Sequence, residues 1–117
     1  MSAGKYDITI DQGSDFELTL VIKDGGNFRN LTGYLARGHL RASMDTAQYW
    51  AFDFSDSTYD EYGTLVMKLA HDVTANNDNT ALSEGNYFYD VEVYKSDDSE
   101  VERILQGKAK VTREVTR

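Results

Sequence analysis

In "YLARGHLR" the side chains of Arg37, His39 and Arg41 recur at every second residue. In an extended strand that spacing places all three on one face. They form a positive stripe on a chain whose formal net charge is -8. A stripe of opposite sign to its surroundings gives a contact orientation and specificity more than raw affinity. Two destinations are open to it: an acidic partner, or the chain's own Asp90 and Glu92 across a sheet. The flanking cations disfavour a charged imidazole at His39, which argues against proton transfer there. His71 precedes Asp72, but neighbours in a strand point to opposite faces and form no relay.

Other chemistry finds fewer residues to work with. No serine sits in a strand-to-helix elbow, no glycine run suits a phosphate, and no histidine pair has helical i, i+4 spacing. The chain has no cysteine, which removes disulfides, thiolate metal sites and cysteine nucleophiles. An enzyme is therefore not expected, nor a cofactor. Asp53, Asp56, Asp60 and Glu61 in one loop, and Asn76, Asn77, Asp78 and Asn79 in another, offer oxygen ligands of the kind calcium takes, without the twelve-residue spacing of a hand-type loop. Trp50, Tyr49, Tyr59 and Tyr62 flank the first of these loops. If two of these rings were exposed together they would make a sugar platform, the alternative reading of the chain as a carbohydrate-binding module. Net negative charge with dispersed Lys and Arg argues against a nucleic-acid partner. No run approaches a membrane-spanning length, and "MSAGKYDITID" has no apolar signal segment, so no membrane role is expected.

The elements that must position these residues are strands. At 117 residues the chain matches one domain, 1–117, and it contains no proline, so every backbone N–H can enter a ladder. "FELTLVI" alternates Phe16, Leu18, Leu20 and Ile22 with polar residues and Val21 before the turn Asp24-Gly25-Gly26. "YDITID" sets Ile8 and Ile10 on one side, and "TLVMKLA" does the same for Leu65, Met67 and Leu69. Tyr34, Ala36, Gly38 and Leu40 share the face opposite the cationic stripe, and "YWAFDF" is expected to be a strand near an edge. A helical turn is expected near Thr74. In "VERILQGKAKVT" an interruption at Gly107 would keep Leu105, Ala109 and Val111 on a common face. Seven or eight strands with turns between them are the pattern of a sandwich or small barrel, and connections of varied length favour the antiparallel β-sandwich.

"LSEGNYFYDVEVY" reads as a central strand, with Tyr87, Tyr89, Val91 and Val93 inward and Phe88, Asp90, Glu92 and Tyr94 outward. Phe88 and Tyr94, beside two carboxylates, join Arg37, His39 and Arg41 as candidate protein-interface residues. Tyr87 follows a Glu-Gly turn and resembles the corner tyrosine of immunoglobulin-like domains, whose hydroxyl bonds back to nearby backbone. Glu84 adjoins Gly85 directly, and Tyr89 stands where such domains carry a cysteine. Both tyrosines are expected to be structural.

Taken together, "YDITIDQGSDFELTLVI", "NLTGYLARGHLR", "LSEGNYFYDVEVY" and "ERILQGKAKVTREVTR" resemble the small immunoglobulin-like β-sandwich proteins of tailed-bacteriophage virions, and are similar to the N-terminal domain of phage upper-baseplate proteins. In that pattern Gln12 and Gly13 with Phe16 mark the first turn and following strand, and Leu31, Thr32, Gly33 and Tyr34 lead into Ala36 and Arg37. Gly85, Tyr87, Tyr89 and Asp90 mark the late central strand, and Gly107, Val111 and Thr112 the last one. The resemblance implies a structural adaptor or wedge-like part of a baseplate, tail or neck, present in several copies among other phage structural proteins. It implies residence in the virion, and in host cytoplasm during assembly, with the isolated chain able to stay monomeric. Larger members continue into receptor- or fibre-linked domains, whereas this sequence stops at Arg117, which favours the adaptor role over receptor engagement.

Overall fold

Alternating apolar and polar residues become two facing sheets in the computed structural model, which describes residues 4–43, 45–74 and 82–113. In chain order the strands are β1 Gly4–Lys5, β2 Ile8–Asp11, β3 Phe16–Val21, β4 Lys23–Asp24, β5 Asn27–Phe28, β6 Tyr34–Arg41, β7 Trp50–Ala51, β8 Thr64–Leu69, β9 Gly85–Lys95 and β10 Val101–Thr112. A helical turn, α1, spans His71–Thr74. The large sheet runs β1-β10-β9-β6-β7, with β2 also on β10; β3 and β8 form the second sheet, and β4 and β5 a small hairpin. This is the all-β sandwich that the alternation predicts, in the immunoglobulin-like form that the resemblance implies. Two departures refine it. The N-terminal pieces β1 and β2 run parallel to β10, and four two-residue strands, β1, β4, β5 and β7, raise the count above seven or eight.

The predicted inner faces meet. Leu40, Leu65, Met67, Val91 and Val93 are wholly enclosed, and Leu20, Leu69 and Tyr89 nearly so. Phe16, Leu18 and Ile22 pack against them from the margin, half-buried. Full burial of such a side chain contributes about 1.5–3 kcal/mol, so this layer supplies most of what holds the sheets together. Ile10, Leu31, Phe52, Phe54, Leu82 and Val111 complete it.

Two short segments stitch the sheets at opposite edges. At one edge the Gln12 backbone N–H donates to Thr112 of β10 at 3.1 Å. Its side-chain Nε2 reaches the Leu82 carbonyl at 2.7 Å, and Gly13, at φ +76°, then turns the chain toward β3. At the other edge "YWAFDF" is paired as a strand only over Trp50–Ala51. Phe52 N–H donates to Gly38 of β6 at 2.9 Å, and the next residue, Asp53, exchanges two backbone bonds with Lys68 of β8. The segment leaves one sheet for the other, so Phe52 and Phe54 both drop into the core. Gly38 leaves room for them: a Cβ there would stand 3.4 Å from each ring and 2.7 Å from the Asp90 carbonyl.

The interruption expected at Gly107 lies elsewhere. β10 pairs continuously with β9 through Gly107, and its register shifts between Arg103 and Leu105. The extra residue turns both Ile104 and Leu105 inward. Gly107 serves close approach instead: a Cβ there would come within 2.1 Å of the Tyr6 carbonyl oxygen and 3.1 Å of the Tyr89 ring. Tyr6 N–H donates to Gln106 O at 3.0 Å, while the Tyr89 hydroxyl donates to Tyr6 O. The helical turn begins three residues before the expected place, where Asp15 accepts the His71 N–H at 2.7 Å.

The Tyr87 hydroxyl donates to the Ser83 carbonyl, four residues upstream, at 2.8 Å. This is the corner bond expected of an immunoglobulin-like domain. Gly107→Ala should destabilise the fold by about 1–3 kcal/mol in urea unfolding, because backbone on a neighbouring segment must move to admit one methyl group. Tyr87→Phe should cost only about 1 kcal/mol, the net value of one hydrogen bond, with the ring still buried. A larger loss for Tyr87→Phe than for Gly107→Ala would contradict this ranking.

Candidate functional site

β9 lies between β6 and β10 and pairs with both, so its outward residues align in rows across the sheet. The first row is Arg41, Phe88 and Lys108; the second is His39, Asp90, Gln106 and, on β1, Lys5. The third is Arg37, Glu92 and Arg103; the fourth is Leu35, Tyr94 and Val101. Lys110 stands beyond the first row, opposite Asn86. The first two rows, with Asp7, Glu92 and Arg103, line a concavity of about 670 Å³ on this outer face.

The structure therefore brings Arg37, His39 and Arg41 together with Phe88 and Tyr94, and both destinations open to the cationic stripe bear on the outcome. Arg37 Nε donates to Glu92 Oε1 at 2.8 Å, and its guanidinium lies 4.4 Å from the Tyr94 ring centre. Asp90 is taken by Arg103 of β10, at 3.4 Å, and not by a residue of the stripe. Arg41 donates to the Thr46 carbonyl at 2.6 Å and sits 5.2 Å from the Tyr49 ring centre, so its charge meets no carboxylate among the described residues. Lys5, Lys108 and Lys110 also make no ion pair among those residues. The face thus grades from cations around Phe88 that form no ion pair among the described residues, through a belt of paired charges, to an apolar end at Leu35, Tyr94 and Val101.

Six of the chain's twelve Lys and Arg stand on this face: Lys5, Arg37, Arg41, Arg103, Lys108 and Lys110. Among the described residues four carboxylates accompany them: Asp7 and Asp11 at the edge, with Asp90 and Glu92. A chain of net charge -8 presents here a face with a cationic excess. The contribution of β10 was hidden in the sequence. Without the irregularity at Ile104, Arg103 would share the inward side with Ala109 and Val111; the bulge turns it out beside Gln106, Lys108 and Lys110. Alternation in "QGKAK" was the available signal.

His39 stacks on Tyr49 with ring centres 4.0 Å apart and planes 19° from parallel. Burial holds its pKa below the ordinary histidine value; Arg41 and, more weakly, Arg37 act in the same direction, against Asp90 and Glu92. The imidazole is consequently a neutral, flat part of the surface near pH 7.

The other candidates separate. Trp50 turns inward, edge-on to Tyr87 at 5.7 Å. The Tyr59 hydroxyl accepts the Ala36 N–H at 3.1 Å, Tyr62 meets Phe28 edge-on at 5.8 Å, and Tyr49 lies on the outer face. The rings proposed as a sugar platform thus serve four different places. In the acidic loop Asp60 accepts N–H groups of Tyr62 and Thr64, Asp53 that of Ser55, and Asp56 pairs with Lys68 at 2.6 Å. These carboxylates organise turns and an ion pair. Among the described residues no three His, Cys, Asp or Glu converge as a metal site; Asn76, Asn77, Asp78 and Asn79 lie outside them. Asp15, 56 residues before His71, approaches its Nδ1 at 2.9 Å, an exposed pair with no signal in the sequence. No helix is long and apolar enough to cross a membrane among the described residues.

The topology and the tyrosine corner together define an immunoglobulin-like β-sandwich. No family model matches the chain. No curated protein matches it either. Among solved structures it is similar to an NK cell receptor described as a triggering partner in natural cytotoxicity, at 10% identity and TM-score 0.43, over 96% of this chain and 100% of that one. A VGSC beta subunit, studied for multimeric cell-adhesive interactions, aligns at 12% identity and TM-score 0.43, over 96% of each chain. A family 123 glycoside hydrolase from Clostridium perfringens aligns at 11% identity and TM-score 0.44, over all of this chain and 24% of that one.

The lowered pKa of His39 has a signed consequence. The unfolded chain takes up the proton first, so stability contributed by the neutral ring is full above the unfolded value, near 6.5, and falls as pH drops toward the lower folded value. Urea unfolding of the wild type should weaken on acidification from about pH 7 to about pH 5.5 more than that of His39→Gln. Identical pH slopes for the two proteins would show that His39 makes no such contribution.

Proposed function

We propose that this chain is a non-catalytic adaptor or wedge-like component of a tailed-phage baseplate, tail or neck, present in several copies per particle and docked to other structural proteins through the outer face of its large sheet. The coarser part of this reading, a small β-sandwich module for binding or assembly, follows from the fold and its surface. One observation carries the choice of face: half of the Lys and Arg of an acidic chain gather there around Phe88, which is 37% exposed, and Tyr94. Aromatic residues on the middle strand of the face, flanked by arginines, match the residue types enriched in docking patches.

The phage assignment rests on the resemblance of the sequence, whose motif residues serve the fold. Gln12 and Gly13 occupy the crossing between sheets, Tyr87 the corner bond, and Gly107 the close passage of Tyr6. Three full strands, together about 14 Å wide, and four rows, about 27 Å long, give a face of about 400 Å². A standard interface covers about 800 Å² per partner, so contacts must extend onto the terminal strands and loops. Alone, the protein is expected to be monomeric, since like cationic faces repel and docking into another protein's symmetry needs no self-association.

Cryo-EM of the parent particle tests the reading. It should show this chain as repeated density joining other structural proteins, with rows one to four covered. Its absence from purified particles despite abundant expression would reject the virion role, and its presence with the outer face open to solvent would reject the choice of face.

A further inference from the structure

Resting on that docking role, we propose that the occupant of the outer face is an extended, acidic segment of a partner protein, which sets a carboxylate among Arg41, Phe88 and Lys108 and an apolar side chain against Leu35, Tyr94 and Val101. The placement follows from the unequal rows. At the first row the Asp7 carboxylate accepts the Lys108 backbone N–H at 3.0 Å, but the side-chain cations of Arg41, Lys108 and the neighbouring Lys110 form no ion pair among the described residues, so a bound anion there gives them a counter-charge. Phe88 lies between Arg41 and Lys108 in the register and excludes water from one side of that position, which strengthens the attraction. At the fourth row Leu35 and Val101 are 41% and 48% exposed on either side of Tyr94, with no charge of their own.

Between the ends, Arg37–Glu92 and Arg103–Asp90 are already paired, so the middle rows ask only for polar groups that can share those bonds. From Phe88 to Tyr94 is six residues of strand, about 20 Å. A partner segment in extended form spans this with an acidic residue and an apolar residue about six positions apart, both pointing to the same side.

The same rows disfavour other occupants. A nucleic-acid strand carries a phosphate every few ångströms and would cross Asp90 and Glu92 on a chain of net charge -8. A second copy of this chain, face to face, would bring six further cations to a surface that already has an excess.

Titration of isotope-labelled full chain, followed by amide NMR, distinguishes these. The probes are two synthetic peptides of about ten residues, identical except for Glu or Gln at the acidic position, each with Leu six residues later, and a short single-stranded DNA. The Glu peptide should shift the signals of Arg41, Phe88 and Lys108 together with Tyr94, binding at least about tenfold more tightly than the Gln peptide. Lys108→Glu with Lys110→Glu, two exposed changes, should remove that difference while unfolding as the wild type does. Arg41→Gln should reduce it. Equal affinity for the two peptides, no shift with either, or shifts confined to another surface would overturn the proposal. Tighter binding of DNA would replace it with a nucleic-acid reading, and shifts of the same rows on simple concentration would replace it with self-association. The docking role fails separately: particle density with a neutral or basic surface seated on the outer face would sink only the acidic segment, whereas an open face would sink both.

Discussion

The register of β9 is the constraint on which the rest of the molecule depends. It is paired along its length with β6 on one side and β10 on the other. Side chains alternate with period two, so one decision of register sends Tyr87, Tyr89, Val91 and Val93 to the core and Phe88, Asp90, Glu92 and Tyr94 to the outer face. A slip of one residue would bury two carboxylates and expose four core side chains. The cost of an unpaired buried charge, together with several lost apolar contacts, makes the observed register the only workable one.

Two tyrosine hydroxyls hold that register at the strand's beginning. Tyr87 bonds back to Ser83 and Tyr89 reaches Tyr6, so each buried phenol has a partner and each bond joins β9 to a segment outside it. Burial raises the pKa of both, that of Tyr89 to about 12, which keeps the phenols protonated as donors. Gly107 completes the arrangement by letting the Tyr6 backbone pass directly over β10. The parallel N-terminal strands are a consequence: having crossed Gly107, the chain continues along β10 before Gln12 and Gly13 take it to the other sheet.

The outer face owes little to stability. Its ion pairs are solvent-accessible, and exposed pairs contribute about 0–1 kcal/mol. The fold would survive their loss, so this composition is better explained by what the face meets than by what it holds up. Its middle belt is internally paired, whereas at one end the side-chain cations of Arg41, Lys108 and Lys110 form no ion pair among the described residues and at the other Leu35 and Val101 stand exposed.

The sequence by itself determined the fold class and the content of each strand face. Period-two alternation in "FELTLVI", "TLVMKLA" and "YFYDVEVY" reports directly on burial, because a strand has only two sides. It likewise determined that Arg37, His39, Arg41, Phe88 and Tyr94 could share a surface, since each lies on the polar side of its strand. Tertiary structure decided which strands neighbour one another, and so that β10 adds Arg103 and Lys108 and β1 adds Lys5 to that surface. It decided that Trp50 turns inward and that the residues after it cross between sheets. It also put the irregularity of β10 at Ile104 instead of Gly107. Periodicity is a local property carried by a few consecutive residues, whereas a bulge, a crossing or a row across three strands depends on hydrogen bonds between segments as much as 101 residues apart, as between the Lys108 backbone N–H and the Asp7 carboxylate.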